Sequence, residues 1–425
     1  MIVEHRSSLR GEINIPGDRS ISHKAILVAS LAKGTSEIKD VFMSEDCIST
    51  INCFRKMGVT IEIKSNNCLK VTSNGLYELT EPKTPINTGK SNTAFRLLLG
   101  VLVGQNFTSI VTRDASVQRC LVSDIVIPLK TMGAKILGRE DATMCPLRVE
   151  SSTLQSTTYN LTLENRHVKS SLLLAGLYAQ DKTVIKEAVP YRNHTELMLQ
   201  HFGAKLSFGK NGRVTIYSGN DLIAKDVSVP GDMSIASYFI VSACIIPNSE
   251  IMIKNVGFNH TRNGLIEVLK SMGAKINILN EHLIGKETTC DIHASSSELK
   301  AICIDQTILP RIYDELPAFI VAACAAEGTS KITNLHGYKI FENETLTKLC
   351  KELTKMGAKI TILDDTIEIT GGIPLKGRVV ESYGCKNLTL ALSSAAIYAE
   401  GETLIRKSQV LETAFPDFLP VLNSL

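Results

Sequence analysis

The sequence predicts an α/β protein of two lobes, built from six βαβαββ-type repeats arranged three plus three. Three observations carry that prediction. Five amphipathic segments close on nearly the same phrase, Met57-Gly58-Val59, Met132-Gly133-Ala134-Lys135, Phe202-Gly203-Ala204-Lys205, Met272-Gly273-Ala274-Lys275 and Met356-Gly357-Ala358-Lys359, with the glycines 75, 70, 70 and 84 residues apart. Before each of them, and once more near the end of the chain, lies a segment apolar almost all round: Ala25 to Ala32, Thr93 to Val103, Ser170 to Tyr178, Ser234 to Cys244, Pro317 to Ala326 and Leu388 to Tyr398. Finally, the turn Pro16-Gly17-Asp18 recurs as Pro230-Gly231-Asp232, once ahead of each group of three.

In chain order, Pro16 and Gly17 mark a turn and Asp18 or Ser20 is placed to cap the helix that follows. This helix opens with two cations, Arg19 and Lys24, at an end whose free amides favour an anion. A glycine just past a helix is the expected left-handed C-cap, so each Met-Gly phrase reads as helix, cap, strand; Lys275-Ile276-Asn277-Ile278 shows the alternation of such a strand. The apolar segments, rich in Ala, Ser and Gly among Leu and Val, predict helices buried among other helices, with strands such as Thr183-Val184-Ile185 and Thr403-Leu404-Ile405 forming sheets outside them. Two Pro-Gly-Asp crossings predict that residues 1 to 17 pair with the C-terminal half. The lobes are then 18 to 230, and 1 to 17 with 231 to 425, hinged near 15 to 20 and 229 to 234.

With 425 residues, 44% apolar and 21% charged, the chain has the composition of a globular protein of more than one core. A formal net charge of +3 gives no push towards nucleic acid, and no apolar run reaches the roughly 18 residues of a membrane span. Eleven cysteines stand singly, without metal-ligand spacing and without a secretory pattern ahead of them, so reduced thiols, a cytoplasmic location and no metal or other cofactor are expected.

The stretches PGDRSISHKA, VKSSLLLAGLYA, PGDMSIASYFIV, LPRIYDELPAF and FPDF resemble the enolpyruvyl transferase family in its 5-enolpyruvylshikimate-3-phosphate synthase branch, along essentially the whole chain. The resemblance implies a pair of inside-out α/β barrels. It also implies an addition-elimination that moves the enolpyruvyl group of phosphoenolpyruvate to a hydroxyl of a phosphorylated acid, in a cleft lined by Lys and Arg. On the matching positions it implies that Arg19, Ser20 and Lys24, together with Arg96 in GKSNTAFR and Arg119 in DASVQRC, hold anionic substrate. Asp314 would accept the proton of the attacking hydroxyl, Glu342 would be its acidic partner, and Arg19 would assist the chemistry.

The chain also departs from the family pattern. The K-E-T-D-R motif is Phe341-Glu342-Asn343-Glu344-Thr345, the D-H-R triplet is Cys385-Lys386-Asn387 with Lys386 the nearest substitute cation, and the late Lys is Thr413. In the acceptor subsite, Ser-Ala-Gln is Asn165-Arg166-His167, a Ser is Tyr191, and a loop Gly is Asn92. Losing several charge-assisted bonds weakens phosphoenolpyruvate binding, while new Arg166, His167 and Tyr191 point to a retuned ligand. The resulting expectation is a divergent carboxyvinyltransferase-like enzyme, a monomer, acting on another small anion. The alternatives are an inactive anion-binding paralogue and an ordinary synthase.

Overall fold

The computed structural model describes residues 1–162, 166–210, 212–335 and 344–425, and of Arg166 only the backbone. Two compact units are present: an N unit of Gly17–Pro230 with Ile284–Glu287, and a C unit of Met1–Pro16, Gly231–Leu283 and Thr288–Leu425.

Six helices fill the two interiors: α1 (Arg19–Leu31), α2 (Asn92–Leu102) and α3 (Lys169–Gly176) in the N unit, and α4 (Met233–Ile245), α5 (Leu316–Ala325) and α6 (Lys386–Tyr398) in the C unit. All thirteen residues of α4 are buried, as is α5 from Leu316 to Cys324. A helix this apolar has no face to offer water, and α4, α5 and α6 accordingly pack against one another, as α2 does against α1 and α3. Each buried Leu, Ile, Val or Phe contributes about 1.5–3 kcal/mol of transfer free energy to this packing. The N-caps are polar: Asp18 caps α1 by accepting from Ile21 N at 2.8 Å, Ser91 caps α2 through Ala94 N at 3.1 Å, and Asp232 caps α4 through Ser234 N at 2.9 Å.

Each N-unit repeat adds one four-stranded sheet of the same pattern. In the first, Gly34–Lys39 pairs in parallel with Val227–Ser228 and antiparallel with Cys68–Ser73, which takes Thr60–Ser65 on its other side. The sheets around Ser109–Thr112 and Lys182–Glu187 repeat it. In the C unit, Glu250–Gly257 pairs in parallel with the N-terminal strand Arg10–Asn14. The last repeat supplies only Val379–Glu381 and Glu402–Arg406, and the antiparallel place beside Glu402–Arg406 is taken by Ile2–Glu4 from the chain's start. An open strand edge is thereby covered.

All five Met-Gly and Phe-Gly caps form as read. Gly58, Gly133, Gly203, Gly273 and Gly357 have φ between 88° and 102°, where a Cβ would be strained. The residue after each glycine donates its N–H back to the helix, for instance Val59 N to Phe54 O at 3.1 Å and Ala274 N to Leu269 O at 2.9 Å, the six-to-one bond of a Schellman cap. Among the described residues no helix is long and apolar enough to cross a membrane. All eleven cysteines are free thiols.

Candidate active site

The first turns of α1, α2 and α3 meet around a cavity of about 160 Å³ in the N unit. Its wall carries Ser20 and Lys24 from α1, Thr93 and Arg96 from α2, Lys169 and Ser170 from α3, His167 just before α3, and Tyr191, Arg192 and His194 from the segment after Lys182–Glu187. Three largely apolar helices thus place polar residues from their N-terminal halves on one concavity. Ser20 and Lys24 reach it together because residues four apart share a helix face. Lys24 Nζ donates to Ser20 Oγ at 2.6 Å. Burial pulls the Lys24 ammonium down to about 8, against the opposing pull of Asp18 and with help from the Arg192 charge.

Carboxylates stand behind the cations. Lys169 Nζ, almost wholly buried, lies 2.7 Å from Glu196 Oε1 and 3.0 Å from Glu187 Oε1, and donates to Tyr191 O at 3.2 Å. Burial alone would lower this ammonium, but Glu196 and Glu187 outweigh it, so Lys169 stays charged. The same burial pushes the Glu187 carboxyl up. Asp124 Oδ2 accepts from Arg96 Nη2 at 2.8 Å and from His167 Nε2 at 2.5 Å. Nδ1 of His194 is 2.8 Å from Glu287 Oε1, and its buried Nε2 has no hydrogen-bond partner among the described residues. Asn92, the bulkier residue at a loop position that the family fills with glycine, accepts from Arg113, whose guanidinium lies over the Phe95 ring at 5.1 Å.

A second polar cluster lies in the C unit at the starts of α4 and α5. Arg262 Nη2 donates to Ser234 Oγ at 2.5 Å and to Glu315 Oε1 at 3.1 Å, and lies 3.4 Å from Asp232 Oδ1. Ser234 Oγ donates to the same Glu315 oxygen at 2.5 Å, and Lys386 Nζ stands 3.8 Å from Asp232 Oδ2. Glu315 is buried, whereas its neighbour Asp314 is only half-buried, in the turn before α5.

Of the residues singled out in the sequence, Ser20, Lys24, Arg96, His167 and Tyr191 come together on the N-unit cavity. Arg19 does not line it. One residue before Ser20 is about 100° around a helix, and the Arg19 guanidinium is exposed, 3.3 Å from Asp46. Arg119 is exposed in the turn that follows Ser109–Thr112. Asp314 and Lys386 belong to the C unit. Asn165 and Glu342, with Phe341, lie outside the described residues, as does the side chain of Arg166. Sequence reasoning passed over Lys169, Arg192, His194, Glu315 and Arg262. A lysine inside the apolar run Val168 to Leu177 was the available signal for the first, since Lys is almost never fully buried without a partner.

Comparison with known proteins supplies the family. The EPSP synthase (3-phosphoshikimate 1-carboxyvinyltransferase) family model matches residues 3–422. A 3-phosphoshikimate 1-carboxyvinyltransferase of Thermoanaerobacter sp. (strain X514) is 43% identical over 424 residues, covering 100% of this chain and 99% of that one. One from Desulforamulus reducens is 39% identical over 425 residues, with 100% and 99% covered. The solved EPSP synthase of Acinetobacter baumannii superposes with a TM-score of 0.92 at 33% identity, covering 99% of this chain and 97% of that one. These likenesses bear on the expectation of a divergent member with a changed substrate: they give it no support, and they fit the ordinary-synthase alternative better. Matched from end to end in sequence and in fold, the chain belongs to the EPSP synthase (3-phosphoshikimate 1-carboxyvinyltransferase) family, enzymes of carboxyvinyl transfer.

Proposed function

We propose that this protein transfers the carboxyvinyl group of phosphoenolpyruvate to a hydroxyl of shikimate 3-phosphate and releases inorganic phosphate. The observation that carries the reading is the N-unit cavity, where Lys24, Arg96, Lys169 and Arg192 face a concavity of small-molecule size beside the hydroxyls of Ser20, Thr93 and Ser170. Such a wall offers charge-assisted bonds to a phosphate and neutral ones to a polyol ring. In the reaction the acceptor oxygen bonds to C2 of phosphoenolpyruvate and loses its proton, C3 gains one, and loss of phosphate with a C3 proton restores the vinyl group. Asp314, and Glu342 by family resemblance, are the carboxylates proposed for these proton transfers. Arg19, Arg119, Asn165, Arg166 and Lys386 are proposed as further anion contacts once both substrates are bound. A cytoplasmic monomer hinged at its Pro-Gly-Asp crossings completes the reading.

A second reading, in which a different small anion takes the place of phosphoenolpyruvate, is favoured by one set of observations. Asn387 and Thr413 carry no charge where the family has cations, and Lys386 Nζ stands 3.8 Å from the Asp232 carboxylate. A coupled assay for phosphate release with shikimate 3-phosphate and phosphoenolpyruvate, run beside calorimetric titration of each, separates these readings and an inactive paralogue. Turnover that requires both substrates supports the synthase. Binding of both without turnover supports an inactive paralogue, and binding of shikimate 3-phosphate but not of phosphoenolpyruvate supports a changed ligand.

A further inference from the structure

Asp124 sits in the first turn of the helix Ser123–Thr131, behind the wall of the N-unit cavity and not on it. One of its oxygens serves two wall residues at once, Arg96 and His167, at 2.8 and 2.5 Å. The three side chains are 28%, 32% and 32% exposed, so the pairing adds little to folding. A carboxylate accepts hydrogen bonds and donates none, and this one is held at about 2: burial pushes it up, but the His167 bond and the Arg96 charge outweigh that. It follows that Nε2 of His167 carries a hydrogen, and in the neutral ring this leaves Nδ1 as the nitrogen that can accept from a ligand.

We infer that Asp124 is a positioning residue for the acceptor site: it holds His167 in the Nε2–H tautomer, with Nδ1 accepting from a hydroxyl of the acceptor, and holds Arg96 beside it to donate to an adjacent oxygen. His167 is then a specificity-determining residue for hydroxyl-bearing acceptors, because a site built to receive a hydroxyl rejects an analogue that lacks it. This rests on the proposed reading of the cavity as the acceptor site. No part of it depends on phosphoenolpyruvate.

The test uses the full chain with Asp124→Ala, Asp124→Asn, His167→Ala and the double variant Asp124→Ala/His167→Ala. Nitrogen-15 spectra of the His167 ring are expected to show the Nε2–H tautomer in the wild type and a mixture once Asp124 is replaced. In calorimetry, shikimate 3-phosphate is expected to bind about tenfold or more weakly to each single variant. The double variant should lose less than the sum of the two single losses, since Asp124 acts in part through His167 and in part through Arg96. Asp124→Asn preserves shape and is the variant to read if Asp124→Ala does not fold. Additive losses, unchanged affinity in His167→Ala, or a mixed tautomer in the wild type would each overturn the inference. Failure of the wild type to bind shikimate 3-phosphate at all would overturn the proposed function instead, and the ring spectra would still decide whether Asp124 positions His167.

Discussion

Nδ1 of His194 lies 2.8 Å from Oε1 of Glu287, with the side chains only 2% and 8% exposed. His194 opens the helix His194–His201 and Glu287 opens the strand Glu287–Ser295, 93 residues later, so this one bond ties the hairpin tip at Gly285 to the segment that forms the cavity wall.

Removing the acceptor should therefore be felt in stability. Glu287→Ala leaves a buried ring nitrogen without its partner, at a cost of about 1–3 kcal/mol. Glu287→Gln keeps an acceptor oxygen and should cost less than half as much. Urea unfolding followed by circular dichroism checks both, and equal midpoints for the wild type and Glu287→Ala would show that the bond does not hold the tip.

Lys24 predicts a pH effect of defined sign. Its ammonium titrates at about 8 in the folded protein because burial disfavours the charge, below the ordinary value of 10.5. The unfolded chain therefore binds the extra proton between about 8 and 10.5, so this group's burial penalty is full below pH 8 and is relieved as pH rises through that window. Anion binding moves the opposite way, because it uses the charged form. Affinity for shikimate 3-phosphate should be level below pH 8 and fall above it, by up to about tenfold per pH unit. In Lys24→Arg, whose side chain stays charged, the inflection should vanish. Calorimetry from pH 6.5 to 9.5 measures it, and the same inflection in Lys24→Arg would assign the titration to another group.

The crossing of α2 and α3 depends on a missing side chain. A Cβ built on Gly100 would lie 2.4 Å from the carbonyl oxygen and 2.8 Å from the Cα of Ser171, both backbone atoms with no rotamer to yield. Gly100→Ala should destabilise by about 1–3 kcal/mol, the usual cost of overpacking, although alanine is the better helix former. It should also weaken ligand binding, since Ser171 lies next to Ser170 on the cavity wall and donates from its Oγ to Arg96 O at 2.8 Å. A thermal melt unchanged from wild type would show that the helices separate without loss.

What was legible in the sequence is what local physics encodes. The four Met-Gly caps and the Phe-Gly cap are a matter of one left-handed glycine after an amphipathic helix, and all five form. The buried inner helices follow from segments with no polar face, and the joint appearance of Ser20 and Lys24 on one wall follows from their spacing of four. Family motifs likewise led to Arg96, His167 and Tyr191. The partners of these groups were not legible. Asp124 meets Arg96 and His167 across 28 and 43 residues, and no periodicity in the helix Ser123–Thr131 marks its first-turn acid as different from an ordinary one. Nor does any local rule say that Lys24 turns inward while Arg19 turns to Asp46, or that Glu315, and not Asp314 beside it, meets Ser234 and Arg262. Helix and cap are decided within one turn of chain, where sequence spacing is spatial spacing. The pairing of a buried charge is decided by whichever distant segment the packing brings within 3 Å, and only the tertiary structure holds that distance.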